Sequence, residues 1–216
     1  MSEFIVHGVP GSPFMRAVLI ALEEKRQSYR IAAMAPGDSR SEAYRAKHPF
    51  SRVPLIDHGD FQLYETQAIL RYVDQVFPEP RLQPRDARAA ARMNQLIGIN
   101  DWYLFPQVSV GIVFQRIVGP ALLGMSPDEA IVAATVPKAR VCLSEIERLL
   151  GDQPFLAGDG LSLADVLIAP QLAYVAMTPE GKTLLGGTKL AAWLGRMSAR
   201  PSMQATLPPE ALRQAA

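Results

Sequence analysis

Residues 48–72 read H-P-F-S-R-V-P-L-I-D-H-G-D-F-Q-L-Y-E-T-Q-A-I-L-R-Y. Val53-Pro54 opens an apolar run, His58-Gly59-Asp60 has turn chemistry, and residues 61–64 alternate as a strand does. Glu65-Thr66 then leads into Ile69, Tyr72, Val73 and Val76 at helical spacing. The stretch predicts a hairpin followed by a helix. A residue before proline is pushed towards extended backbone, so Val53 can aim its own N–H and C=O outward at something extended and peptide-like. At the helix start, Glu65 and Thr66 bring a carboxylate and a hydroxyl to the unpaired backbone N–H groups. Such a corner can hold an amino acid's ammonium and carboxylate together.

Upstream, residues 4–6 form a short apolar strand, and a glycine- and proline-rich loop ends at Pro13, which suits a first helical turn. Val18, Leu19, Ala21 and Leu22 fill that helix, and residues 29–34 read as a second strand. A short helix over 42–47 precedes the hairpin. The order is β-α-β-α-β-β-α within residues 1–77. Residues 78–85 hold Pro78, Pro80 and Pro84 in a polar segment and read as a linker. Residues 86–216 show no good strand. There, 86 to about 118 is apolar-periodic; Ser126, Pro127 and Glu129 suggest an N-cap serine, a first-turn proline and a glutamate at the third position of a helix lasting to about 150. Ser162 and Asp165 repeat the capping-box logic before an apolar helix that Pro170 should kink or shorten. A last helix over 189–199 stops before Pro201, and the last residues of the chain look poorly ordered. The fold class is therefore an α/β domain followed by an all-α domain.

The chain has 216 residues, 49% of them hydrophobic, enough for a buried core. Its 22 basic and 21 acidic residues form no basic stripe, which argues against a nucleic-acid partner. The opening M-S-E-F-I-V has no signal-peptide pattern, and no apolar run approaches a membrane span, so a cytoplasmic protein without a membrane partner is expected. Cys142 is the single cysteine, and His7, His48 and His58 are unclustered, so neither an internal disulfide nor a metal site is expected. Cys142, beside Val141 and Leu143, reads as a small buried apolar residue.

Three motifs carry a resemblance: Gly11-Ser12-Pro13-Phe14 with Arg16 and a downstream Ala21-Leu22-Glu23-Glu24-Lys25, the block 48–72, and Phe155-Leu156-Ala157-Gly158-Asp159 ahead of Ser162-Leu163-Ala164-Asp165. Together they resemble the cytosolic glutathione S-transferases over nearly the whole chain, most closely the serine-type classes such as tau and phi or a bacterial relative. The resemblance implies an N-terminal thioredoxin-like domain, a homodimer, and glutathione as co-substrate of an enzyme that conjugates it to an apolar electrophile. Ser12 would be catalytic, its hydroxyl donating to the glutathione sulfur while the helix dipole favours the thiolate. Alone, Ser12 would read as a loop residue or N-cap. Ser12-Pro13-Phe14-Met15 lacks both sulfurs of a disulfide exchanger, which points to binding a thiol rather than forming a mixed disulfide with it.

Val53-Pro54 resembles the family's cis-proline turn, with Val53 pairing by backbone with the cysteinyl part of glutathione. Glu65 would take the γ-glutamyl ammonium and Thr66 its carboxylate, although helix capping alone could explain that pair. Arg40 falls where relatives carry a basic residue for the glycyl carboxylate, and Arg52 could reach a ligand carboxylate as well. Phe14, Tyr103 and Phe114, with Trp102 and Phe105 nearby in sequence, are candidates for an electrophile pocket expected between the domains; Pro54, Ser162 and Asp165 are structural. Three departures from the family pattern stand out: Ser51 replaces a glycine, Arg52 a common glutamine or lysine, and Thr66 a serine. They motivate an alternative, a weakly active or non-catalytic binding protein on the same fold. The first departure asks Ser51 for a backbone that glycine tolerates better.

Overall fold

The computed structural model describes residues 3–214. They form two compact units. One comprises the chain up to Arg81 together with Pro201–Pro208; the other comprises Leu82–Arg200 and the residues from Pro209 onward.

In the first unit, β1 (Phe4–Gly8) runs parallel to β2 (Arg30–Ala33) and antiparallel to β3 (Leu55–His58), which turns into β4 (Phe61–Tyr64), giving the order β2-β1-β3-β4. Helix α1 (Pro13–Glu24) crosses between β1 and β2, α2 (Glu42–Arg45) precedes the hairpin, and α3 (Thr66–Val76) follows it. Alternation along β1 buries Phe4, Val6 and Gly8. Gly8 is needed because a Cβ there would lie 2.9 Å from the Met15 sulfur of α1. Val18 and Ile20 of α1 and Ile69, Leu70 and Val73 of α3 are fully buried, and the two helices pack together. This is the expected thioredoxin-like arrangement. At the far end of α1, the buried Lys25 ammonium donates to Asp74 of α3 at 2.5 Å and to the Pro80 carbonyl at 2.6 Å, tying helix, helix and outgoing chain together.

The second unit is helical, as its sequence predicts: α4 (Ala87–Ile99), a π-helical stretch (Asn100–Val118), α5 (Gly119–Leu123), α6 (Glu129–Leu150), α7 (Leu163–Met177), α8 (Pro179–Leu185), α9 (Lys189–Ser198) and α11 (Glu210–Gln214). The run 87–123 is one continuous helix. By length and composition alone it could cross a membrane, contrary to the expectation that no run is long enough; its buried side chains, among them Leu104, Val108 and Ile112, lie on a helix packed against α6 and α7. Pro106 sits inside the π-helical part.

Two local expectations are corrected. Asp128, not Ser126, caps α6, because its carboxylate accepts from the backbone N–H groups of Ala130 and Ile131. Helix α7 is not shortened at Pro170 but runs on to Met177; every residue from Leu163 to Leu172 is buried, so packing on all sides outweighs the missing backbone bond. Past Pro201 the chain forms α10 (Pro201–Ala205), packed on α1 in the first unit; the expectation for the last residues reaches positions outside the described ones. Cys142 is buried as expected, and burial pushes its thiol up to about 12.

Candidate active site

Strand register decides which loops meet. Gly8 ends β1, His7 pairs with Leu55 at the start of β3, and Leu55 pairs with Tyr64 at the end of β4. Ser12 follows Gly8 by a short loop, Val53-Pro54 immediately precedes Leu55, and Glu65-Thr66 immediately follows Tyr64. All three motifs therefore leave the same end of the sheet. Because β2 is parallel to β1, with Ala33 beside Gly8 and Met34 N–H donating to the Gly8 carbonyl, the loop towards Arg40 departs from that end too.

Ser12 is the N-cap of α1. Its hydroxyl oxygen accepts from Met15 N–H at 3.5 Å, a long bond, and Pro13 in the first turn has no N–H to offer. Capping uses a lone pair and leaves the hydroxyl proton available, so the two expected roles of Ser12 are compatible. The Val53–Pro54 bond is cis, in line with the family's turn. Among the described residues none is hydrogen-bonded to the Val53 backbone, and the residue is half-buried, leaving its N–H and C=O open to an extended ligand. The preceding carbonyl, that of Arg52, is held at 2.7 Å by the hydroxyl of buried Tyr44. The sequence marks α2 only as a short helix and gives Tyr44 no role; burial raises its phenol to about 12, so it stays a donor.

Glu65 stands at φ 72°, ψ 111°, outside the usual regions for an L-residue, as the N-cap of α3 without a side-chain cap bond. Its carboxylate is exposed. Thr66 begins α3 and is buried. Helix capping by its side chain therefore does not account for Glu65, and a residue held in a sparsely populated backbone region is a candidate functional position. Ser51 lies at φ 54°, the backbone glycine tolerates better, as expected from its replacement of glycine. Arg40, in a 3-10 turn over Asp38–Arg40, and Arg52 are exposed; the Arg40 carbonyl accepts from the Arg45 guanidinium.

His48 opens the block and has no site role assigned from the sequence. It is 1% exposed, its ring stacks on Tyr64 at 4.3 Å between centroids, and its Nδ1 has no hydrogen-bond partner. Burial lowers its pKa, with Glu65 opposing and Arg52 reinforcing the shift. No spacing signal marks a buried histidine in advance. Of the proposed electrophile residues, Phe14 is half-buried in the first unit; Tyr103, exposed, and Phe114, half-buried, lie in the π-helical stretch of the second. In that unit Asp165 is fully buried and accepts from Leu156 N–H (2.8 Å), Trp193 Nε1 (2.9 Å), Ser162 N–H (2.9 Å) and Ser162 Oγ (2.6 Å). Burial raises its pKa and the four donors oppose that rise.

Residues 6–81 match the family model of the glutathione S-transferase N-terminal domain, and residues 129–196 that of the C-terminal domain. Over 206 residues the chain is 31% identical to glutathione S-transferase 4 of Zea mays, covering 91% of this chain and 88% of that protein. The chain belongs to the glutathione S-transferase family. It is also 29% identical over 210 residues to glutathione S-transferase F7 of Arabidopsis thaliana, covering 96% of this chain and all of that protein. Among solved structures, glutathione transferase F7 from Populus trichocarpa superposes with a TM-score of 0.84 at 28% identity, covering 94% of this chain and 97% of that one. A glutathione S-transferase-I structure bound with the ligand lactoylglutathione gives 0.83 at 25% identity, with both chains fully covered. The serine-type resemblance thus holds, and the transferase is an enzyme of a family whose substrate is glutathione.

Proposed function

We propose that this transferase binds glutathione at the end of the sheet where Ser12, Val53 and Glu65-Thr66 converge, ionises its thiol, and conjugates it to an apolar electrophile. That convergence, set by the register of β1, β3 and β4, supports the reading. The open Val53 backbone pairs with the cysteinyl part of glutathione. Glu65 takes the γ-glutamyl ammonium and Thr66 with the α3 amides its carboxylate, while Arg40 and Arg52 serve the glycyl end. Ser12 donates its hydroxyl proton as a hydrogen bond to the sulfur, and the N-terminus of α1 favours the same negative charge. The sulfur's own proton leaves to solvent; the thiolate then forms a C–S bond at the electrophilic carbon, either expelling a leaving group with its bonding electron pair or adding to an activated double bond whose other carbon takes a proton from solvent.

One hydrogen bond to a charged group is worth about 1.5–3 kcal/mol. Lowering a thiol by two pKa units takes about 2.7 kcal/mol, so one well-placed donor and the dipole suffice without a general base. The ultraviolet thiolate signal of bound glutathione, followed against pH, checks this. Ser12→Ala should raise the apparent pKa by about one to two units; equal values in both proteins would remove Ser12 from the mechanism. The apolar co-substrate is assigned the side chains Phe14, Tyr103 and Phe114. We further assign residues 1–77 as the glutathione-binding domain, 78–85 as linker and 86–216 as the helical domain, whose segment Pro201–Pro208 packs with the first unit. The working form is a cytoplasmic homodimer, and sedimentation showing only monomer would refute the dimer.

A further inference from the structure

Arg16 does two things at once. Its backbone N–H donates to the Ser12 carbonyl at 2.8 Å, closing the first turn of α1 on the residue that carries the hydroxyl. Its side chain is 3% exposed, and Nε donates at 2.7 Å to the carbonyl of Thr206, 190 residues along the chain. A guanidinium cannot shed its charge on burial as a lysine can, so it must keep its acceptors. The segment supplying this one is part of the first unit. Thr206 is itself tied back to α10, its hydroxyl donating to the Ser202 carbonyl at 2.9 Å. At the other end of α1, Ser202 Oγ donates to Glu24 at 2.5 Å, and Ser202, Met203 and Thr206 are all buried. The returning segment Pro201–Pro208 therefore grips α1 near its start and at its end, with Arg16 as the pin beside Ser12.

We propose that Arg16 is a positioning residue for thiol activation: with Pro201–Pro208 it clamps α1 and fixes the Ser12 hydroxyl and the first-turn amides where the glutathione sulfur is held. The inference rests on the reading of the sheet-end site as the glutathione site. A clamp that sets hydrogen-bond geometry acts on the acidity of the thiol rather than on the amount of folded protein. Its signature is a pH-dependent loss of rate, since a mere loss of folded enzyme lowers the rate equally at every pH.

The test uses the full chain as wild type, Arg16→Met, Ser202→Ala and Ser12→Ala, with the thiolate titration of bound glutathione and kcat/KM from pH 6 to 9 on a chlorodinitrobenzene-type aryl halide. Arg16→Met should raise the apparent thiol pKa by about one unit, and lower kcat/KM about tenfold at pH 6.5 while approaching wild type at pH 9. KM for glutathione should move less than about threefold. Ser202→Ala, loosening only the far grip, should shift the pKa in the same direction by about 0.3 unit. Should Arg16→Met fail to fold, Ser202→Ala decides. An unchanged thiol pKa in whichever of the two is folded and binds glutathione overturns the clamp. Ser12→Ala reports separately on the parent reading: if it alone leaves the pKa unchanged while Arg16→Met shifts it, the clamp stands and acts through the α1 amides.

Discussion

Two helix starts in this protein carry the same chemistry and do opposite things with it. Glu65 and Thr66 open α3; Ser162 and Asp165 open α7, each pair a hydroxyl and a carboxylate that could cap a helix or hold a ligand. At α7 the carboxylate is fully buried and meets four donors. At α3 it is exposed, makes no cap bond and sits on a residue with φ of 72°. The α7 pair is consumed by the fold, whereas the α3 pair is held open at some conformational cost. Function is therefore read from what a polar group leaves unpaired, not from its type.

Asp165→Ala offers the hardest test of the contrast. It strands four buried donors and should lower unfolding free energy by about 4 kcal/mol in urea titrations. A loss under about 1 kcal/mol would erase the distinction. Glu65→Gln is the converse: stability should stay within about 0.5 kcal/mol. Glutathione affinity should fall about ten- to a hundredfold by calorimetry, because a charged acceptor for the ammonium is lost. If its unfolding midpoint dropped as steeply as that of Asp165→Ala, α3 would have to be counted a structural cap after all.

The contrast extends to pH. His48, next to the open site, has its pKa lowered from 6.5 by burial, so the unfolded chain binds a proton that the folded one resists. Stability then rises with pH through that window and is lost as pH falls below about 6.5, at no more than about 1.4 kcal/mol per pH unit. His48→Asn should flatten this part of the profile, and denaturation at pH 5.5 and 7.5 measures it. The smallest effect belongs to Ser51→Gly. Removing the Cβ at φ 54° should stabilise the unit by about 0.5–1 kcal/mol, since the strain relieved slightly exceeds the entropy added to the unfolded chain. A destabilised variant would show that the serine side chain, and not its backbone, is what the turn needs.

Much of this was legible beforehand. The hairpin and helix of residues 48–72 follow from turn residues and apolar period, which are local properties, and so does the capping box at Ser162. Other features depend on partners far away in sequence. The persistence of α7 through Pro170 depends on neighbours that bury it on every side. Asp128 rather than Ser126 caps α6 because the helix begins at Glu129, and the two alternatives differ by a shift no propensity resolves. Tyr44 was silent because its bond to the Arg52 carbonyl exists only once α2 and the turn are folded together.

By itself the sequence determined the α/β and helical halves, the residue types of the site and the family pattern, since periodicity, proline and turn chemistry act over a few residues. Only the tertiary structure decided that Ser12, Val53 and Glu65 leave one end of one sheet, that the chain returns at Pro201–Pro208 to grip α1, and that Glu65 is open where Asp165 is closed. Strand register, burial and hydrogen-bond partners are relations between distant residues, and they exist only after the chain has folded.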